Sequence, residues 1–331
     1  MSKTIFIAEA GVNHNGKVSL AKKLVDIAKV AKADFVKFQI FKADDLARKK
    51  SPLALYQKKN IGKNISQYEM LKKLELSQKE HTLLINYCKK KKINYLASVF
   101  DIESLNFLRK KSSSIKIPSG EITNYQLLKN IKKKKFHKIF LSSGASNIIE
   151  IKKAISILGK KNLYILHANS EYPTKNLNDI NLNVIKTLQN QLKIKTVGYS
   201  DHTIYREVPI IAVAMGANVI EKHFTINKKL KGPDHKASLS PQELIKTVKD
   251  IKKTNSILGS YLKKPTNSEK KNIKVIRKSL YAKKNIFKNE IFNDKNIIFK
   301  RPLVKNNGHL YLRILGKRSK RNYKKNQLIE L

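Results

Sequence analysis

Two histidines close short apolar runs in this 331-residue chain, His202 in VGYSDHT and His223 in VIEKHFT. Asp201, Glu221 and Asp234 lie close by in sequence. Imidazole with oxygen ligands and no thiolate suits Mn, Fe, Co or Zn. The two rings can share one ion if their strands are neighbours in a parallel sheet, because the C-terminal ends then lie side by side. A blander reading keeps both as hydrogen-bonded strand-end residues, and spacing alone leaves the two open. Lys37, Lys116 with Ser119, and Ser142 end other apolar runs. Cations and hydroxyl donors there favour a phosphate or carboxylate guest. Glu9 closes the first run and offers a carboxylate that can move a proton. A Lewis acid, an anion pocket and a carboxylate together suggest joining an anionic phosphorylated molecule to an aldehyde or ketone.

These residues need a scaffold that gathers strand ends. Short apolar runs recur near residues 5–10, 35–39, 95–98, 114–118, 138–142, 163–167, 196–199 and 218–223, with helical patterns between them and a closing helix over 241–258. Such alternation implies a parallel sheet, and eight units imply an α/β fold, the closed (β/α)8 TIM barrel. Chemistry in such barrels sits at the C-terminal strand ends. There this chain keeps Glu9, Lys37, Gln39, Ser98, Lys116, Ser119, Ser142, His167, Ser200 and the two histidines. The barrel is expected over 1–258. Residues 259–273 are polar, contain Gly and Pro, lack periodicity and read as a linker. Residues 274–331 carry short β-like runs (SLYA, NIIFKRP, HLYLRIL, QLIEL) in a segment too small to bury much core alone.

Composition excludes several classes. No apolar run approaches the ~18 residues of a membrane span, and MSKTIFIAEAG reads as a first strand, not a signal peptide. One cysteine, Cys88, excludes an internal disulfide and a thiolate cluster, so the chain reads as cytoplasmic. A formal charge of +46 favours anionic partners electrostatically. The lysines, however, are spread along the whole chain, and the runs at 89–92 and 132–135 end predicted helices, where cations suit the dipole. No helix-turn-helix, zinc finger or RRM signature is present. The excess therefore reads as a Lys/Asn/Ile bias, not specific nucleic-acid binding.

The motifs IAEAGVNHNG, KIPSGEITN, LSSGA, VGYSDHT, VIEKHFT and GPDHKASL, in that order, resemble the sialic acid synthases. That family makes nonulosonic acids from phosphoenolpyruvate (PEP). RKSLYAKKNI and IIFKRP resemble its small β-rich antifreeze-like (SAF) domain. The resemblance implies condensation of PEP with an N-acetylated amino sugar over a divalent metal, usually Mn2+, with Mg2+ or Co2+ as alternatives. N-acetylneuraminate is the first expected product and N,N'-diacetyllegionaminate the second. By the same resemblance, His202 and His223 bind the metal. Lys37, Ser98, Lys116, Ser119, Ser142, Ser170 and Ser200 surround PEP. Glu9 is the acid/base or water-positioning carboxylate, and Gln39, Tyr172 and Asp234 contact the sugar. Arg301 would reach the N-acetyl group in a second chain's barrel, in a domain-swapped homodimer. The chain departs from the family pattern at Ser170, which falls where Asn or Thr is usual, and at Leu303, which replaces a glycine after KRP.

Overall fold

A computed structural model describes residues 4–62, 64–194, 196–305 and 308–330. The first three residues of the amino-terminal run and Leu331 of QLIEL lie outside them. Eight parallel strands close a barrel in chain order: β1 (Ile5–Gly11), β2 (Phe35–Ile40), β3 (Asn94–Val99), β4 (Ser114–Ile117), β5 (Lys138–Ser142), β6 (Leu163–Ala168), β7 (Val197–Asp201) and β8 (Val219–His223). β8 pairs back onto β1, with Glu9 beside His223.

Side chains alternate between the two faces of a strand. Ile7, Phe35, Leu96, Phe140, Leu166 and Val219 pack together as an apolar plug inside the barrel. Two residues further along the same strands come Glu9, Lys37, Ser98, Ser142 and Glu221, and two further again Gln39 and His223. Period-two alternation thus stacks a polar layer directly on the plug, at the C-terminal mouth. The opposite faces bury Phe6, Ala8, Val36, Phe38, Ala97 and Ile220 against the surrounding helices.

Local chemistry sets where those helices begin. Ser77 accepts from the Glu80 N–H while Glu80 reaches back to Ser77 N, a capping box that starts the helix Gln78–Lys91. Ser240 and Glu243 do the same for Pro241–Leu258, with proline in its first turn. After β2 the chain makes a long excursion holding the short helices Ala43–Leu46 and Leu55–Ile61. A satellite core of Val12, Phe41, Ala43, Met70, Leu71 and Leu74 anchors it.

The loops after β1 and β8 are tied across the barrel seam. Asn13 Nδ2 donates to Phe224 O at 2.8 Å and Ser238 Oγ at 2.9 Å. His235 lies 3.1 Å from Asn15 Oδ1 and 2.7 Å from Thr225 Oγ1. Asn60 Nδ2 donates to Pro233 O at 2.6 Å, fixing the excursion to the β8 loop.

The chain divides between Gly259 and Ser260 into two compact units. The second unit has the antiparallel pair β9 (Ser279–Ala282) and β10 (Ile297–Lys300) and its own core of Leu280, Ala282, Ile286, Phe292, Ile297, Ile314, Tyr323 and Ile329. Two expectations change here. The segment expected as linker runs into the helix Asn267–Ile276, because Thr266 and Glu269 form a capping box. HLYLRIL, expected as β, forms the helix Gly308–Ile314 and buries Ile314. Among the described residues no helix is long and apolar enough to cross a membrane.

Candidate active site

The polar layer at the mouth is a buried network of paired charges. Lys116 Nζ donates to Glu221 Oε1 at 2.5 Å. Lys37 Nζ lies 3.0 Å from Glu9 Oε2 and 3.6 Å from Glu221 Oε2, and donates to Ser98 Oγ at 3.2 Å. Ser200 Oγ donates to the same Glu221 oxygen as Lys116, at 2.8 Å. All six residues are buried. Charges taken from water survive only when paired and hydrogen-bonded, and here two lysines balance two carboxylates.

The balance is not symmetrical. Burial raises the Glu9 pKa to about 7, more than the Lys37 charge lowers it, and the Glu221 charge adds to the rise. Burial also acts to raise Glu221, but the Lys116 and Lys37 charges and the hydrogen bonds from Lys116 and Ser200 outweigh it. Glu221 is therefore held well below the usual carboxylate range. Burial lowers Lys116 to about 8 against the pull of Glu221. Lys37 has two carboxylates against its burial and is raised. One carboxylate is thus a fixed anion and the other is poised to exchange a proton near neutrality.

His202 and His223 come together as neighbouring parallel strands require, with ring centroids 5.7 Å apart. His202 Nδ1 donates to Asn169 O at 2.5 Å, which leaves Nε2 as the lone-pair nitrogen. Ser200 Oγ lies 3.5 Å from that nitrogen, and its proton is already committed to Glu221. Burial lowers His202 to about 4, and burial with the His202 and Lys37 charges holds His223 well below the usual imidazole range. Both rings are neutral at pH 7, the form that binds metals. The Nδ1 of His223 is buried with no hydrogen-bond partner. Among the described residues, no three His, Cys, Asp or Glu side chains converge on one ion position. The two neutral imidazoles alone suit an ion whose remaining positions are open to oxygen ligands.

Gly11 shows how tightly the first and last strands meet. A Cβ at this left-handed position (φ 52°) would lie 3.2 Å from Glu9 Oε1, 3.4 Å from the His223 ring and 3.6 Å from Gln39 Nε2. Those three side chains thus face one spot. A second convergence lies over β4–β6. Gly144 N donates to Ser119 Oγ at 3.1 Å, and a Cβ on Gly144 would collide with both Ser119 Oγ and Ser170 Oγ. Ser142 Oγ, nearby on β5, is buried without a partner. Hydroxyls and a bare backbone gathered at strand ends suit an anion. Ser170 itself is exposed on the β6 loop.

Tyr172 packs on His202 (centroids 4.1 Å) and stands edge-on to His223 (5.9 Å). Asp234 is buried, which raises its pKa to about 6. Its charge acts on both Tyr172 and Tyr56, so the three share one corner of the mouth. Arg301 belongs to the second unit, where its Nε donates to Ile276 O at 3.0 Å.

One expected neighbour of the histidines turns away. Asp201 lies on the outer face of β7, ion-paired with Lys222 and accepting from Thr203 N at 2.8 Å. Strand alternation sends Ser200 inward and Asp201 outward, so Asp201 shapes the loop and not the ion site. The sequence reading also left Glu221 out of the anion site. The signal was in β8, where Val219, Glu221 and His223 share one face. Tyr56, stacked on Tyr172 at 5.2 Å, had no signal, because it sits in an excursion without periodicity.

Comparison with known proteins agrees with this fold. The NeuB family pattern matches residues 24–263. The chain is 47% identical over 335 residues to the N,N'-diacetyllegionaminic acid synthase of Campylobacter jejuni, spanning 99% of each. It is 42% identical over 310 residues to the protein of that name from Legionella pneumophila, spanning 91% of this chain and 86% of that one. The solved N-acetylneuraminic acid (sialic acid) synthetase of Leptospira borgpetersenii superposes with a TM-score of 0.72 at 35% identity, covering 82% of this chain and 90% of that one. With its barrel, its charged mouth and these relatives, the chain belongs to the NeuB family, the PEP-dependent transferases that form nonulosonic acids.

Proposed function

We propose that this chain condenses PEP with 2,4-diacetamido-2,4,6-trideoxymannose and water to give N,N'-diacetyllegionaminate and phosphate. The observation that carries the choice of sugar is the 47% identity, end to end, to a synthase of that name. The sequence motifs alone put N-acetylmannosamine and N-acetylneuraminate first. That reading keeps one support, the likeness to the Leptospira synthetase.

Each residue has a task in this reaction. Lys37 and Lys116 hold the anionic groups of PEP, with Ser98, Ser119, Ser142, Ser170 and Ser200 supplying hydroxyl donors. Glu221 sets the lysine positions and tempers their charge. His202 and His223 hold a divalent ion, manganese by family resemblance, whose chemistry is to polarise the sugar aldehyde. The C2–C3 π pair of PEP forms the new bond from C3 to the aldehyde carbon, and the aldehyde oxygen takes the C=O π pair and a proton from solvent to become a hydroxyl. Glu9, with its pKa near neutrality, takes a proton from the water that adds at C2 of PEP. The C2–O bond to phosphate then breaks, the C2 hydroxyl gives up its proton to become the ketone, and phosphate leaves with its bonding pair. Gln39, Tyr172 and Asp234 hold the sugar hydroxyls and acetamido groups. Arg301 serves the barrel of a second chain in a domain-swapped dimer. Mixing Arg301→Ala with Lys37→Met chains tests that arrangement, because only a swapped dimer regains a working site.

The deciding experiment is phosphate release from PEP with manganese, comparing the two acceptors, with His202→Ala as control. Faster release with the diacetamido sugar, lost in the control, is the expected result. Faster release with N-acetylmannosamine moves the assignment to neuraminate. Release with neither, from folded and metal-loaded protein, overturns both.

A further inference from the structure

We infer that Leu55 and Tyr56, on the short helix Leu55–Ile61, form an apolar wall that selects the end of the sugar remote from its aldehyde, favouring methyl groups there over a hydroxymethyl. This inference rests on the reaction proposed above. The helix that carries the two residues has no fully buried residue; its last residue, Ile61, packs partly buried against the satellite core. Leu55 is 89% exposed, so its presence is not explained by packing within the chain. What holds the helix is specific: Asn60 donates to Pro233 O, and Tyr56 stacks on Tyr172 with ring planes 28° apart. Tyr172 in turn lies on His202. A row of rings therefore runs outward from the two histidines. It ends at a cavity of about 600 Å³ with Leu55, Tyr56, Tyr172 and Pro173 on its apolar side and polar side chains such as Lys59 and Lys236 elsewhere in its lining.

A sugar whose aldehyde carbon lies at the histidines must extend outward along this row. The acceptor proposed here ends in a 6-deoxy carbon, with an acetamido methyl at C4. An aliphatic side chain and a ring face shed water against such methyls. The hydroxyl of Tyr56 accepts from Gln57 Nε2 at 3.2 Å at the edge of the ring, so the wall itself is the ring face and the Leu55 side chain. A hydroxymethyl laid on the ring face and on Leu55 loses water and gains no partner from them. An apolar pocket discriminates only modestly against an added hydroxyl, by about tenfold to hundredfold.

The test compares kcat/KM for the two acceptors in wild-type protein and in Leu55→Asn, Tyr56→Ala and Tyr56→Phe. The expected result is a fall of about tenfold in the preference for the deoxy sugar in Leu55→Asn and Tyr56→Ala, carried by the sugar KM. Tyr56→Phe keeps the wild-type ratio, and the KM for PEP stays in place. Leu55 is exposed, so its substitution does not threaten folding. A wild-type preference that persists unchanged in Leu55→Asn and Tyr56→Ala sinks this inference alone. Equal losses for both sugars and for PEP assign the helix a merely structural part and overturn it too. A wild-type protein that shows no preference for the deoxy sugar, or uses neither, brings down the reaction as proposed and the wall with it.

Discussion

Adjacent residues of β8, Glu221 and Lys222, enter two buried ion pairs of opposite meaning. Lys116–Glu221 faces into the barrel, and Lys222–Asp201 faces out, between strands and helices. All four residues are buried. The outer pair closes on itself: Lys222 also donates to Thr203 O at 2.7 Å, and Asp201 accepts from Thr203 N. The inner set does not close. Glu221 Oε2, Ser142 Oγ and His223 Nδ1 are buried without hydrogen-bond partners, and Glu9 has a pKa near neutrality. Burial and charge therefore do not mark a site. Unfinished hydrogen bonding at the strand ends does.

The contrast is sharpest if each pair is broken separately. Lys116→Met should cost phosphate release about a thousandfold, as loss of a charge aimed at the reacting group does. Its melting point should shift little, because Lys37 still lies against Glu221. A large loss of stability with intact turnover would reverse the two assignments. Asp201→Ala should do the opposite, leaving Lys222 buried and unpaired at a cost of about 3–5 kcal/mol in urea unfolding. Turnover per folded molecule should stay within about tenfold of wild type.

A pH series sharpens the inner half. Burial raises Glu9 from 4.5 to about 7, so the folded protein keeps a proton that the unfolded chain has released. That contribution to stability is full below pH 4.5 and is lost as pH rises to 7. Relative to wild type, Glu9→Gln should flatten the slope by about 3 kcal/mol across that window, and remove a rise of kcat/KM near pH 7. Parallel curves for the two proteins would refute the assignment of Glu9. The smallest effect belongs to the double replacement Asp201→Leu with Lys222→Met. Apolar residues of similar volume should restore stability to within about 1–2 kcal/mol of wild type, a result readable from the denaturation midpoint. The same swap at Lys116 and Glu221 should leave an inactive protein.

Much of this contrast was open to reading in the chain itself. Strand and helix periods differ enough that eight β/α units stood out, and the polar residues fell at their ends. What stayed hidden was facing. Asp201 and Glu221 look alike as carboxylates beside the histidines, and only the alternation anchored by the apolar plug sends one out and the other in. The second unit was harder because its elements are short. HLYLRIL has the composition of a strand, and its tertiary setting made it a helix. The helix Asn267–Ile276 has no buried residue and so left no periodic stripe, although Thr266 and Glu269 stood at capping-box spacing. Tyr56 was beyond reach because nothing local says which ring a loop residue will meet.

The seam between β1 and β8 bears on how the chain is made. Asn13 waits for Phe224 and Ser238, and Asn15 for His235, partners 211 to 225 residues downstream. At a ribosomal pace of ~5–20 residues per second, the first strand is in the cell for about 10–45 s before its second neighbour exists. During that interval one edge of IFIAEAG stands unpaired, next to a growing half-barrel. Nascent chains held in that state are the ones that chaperones and stray strand edges compete for.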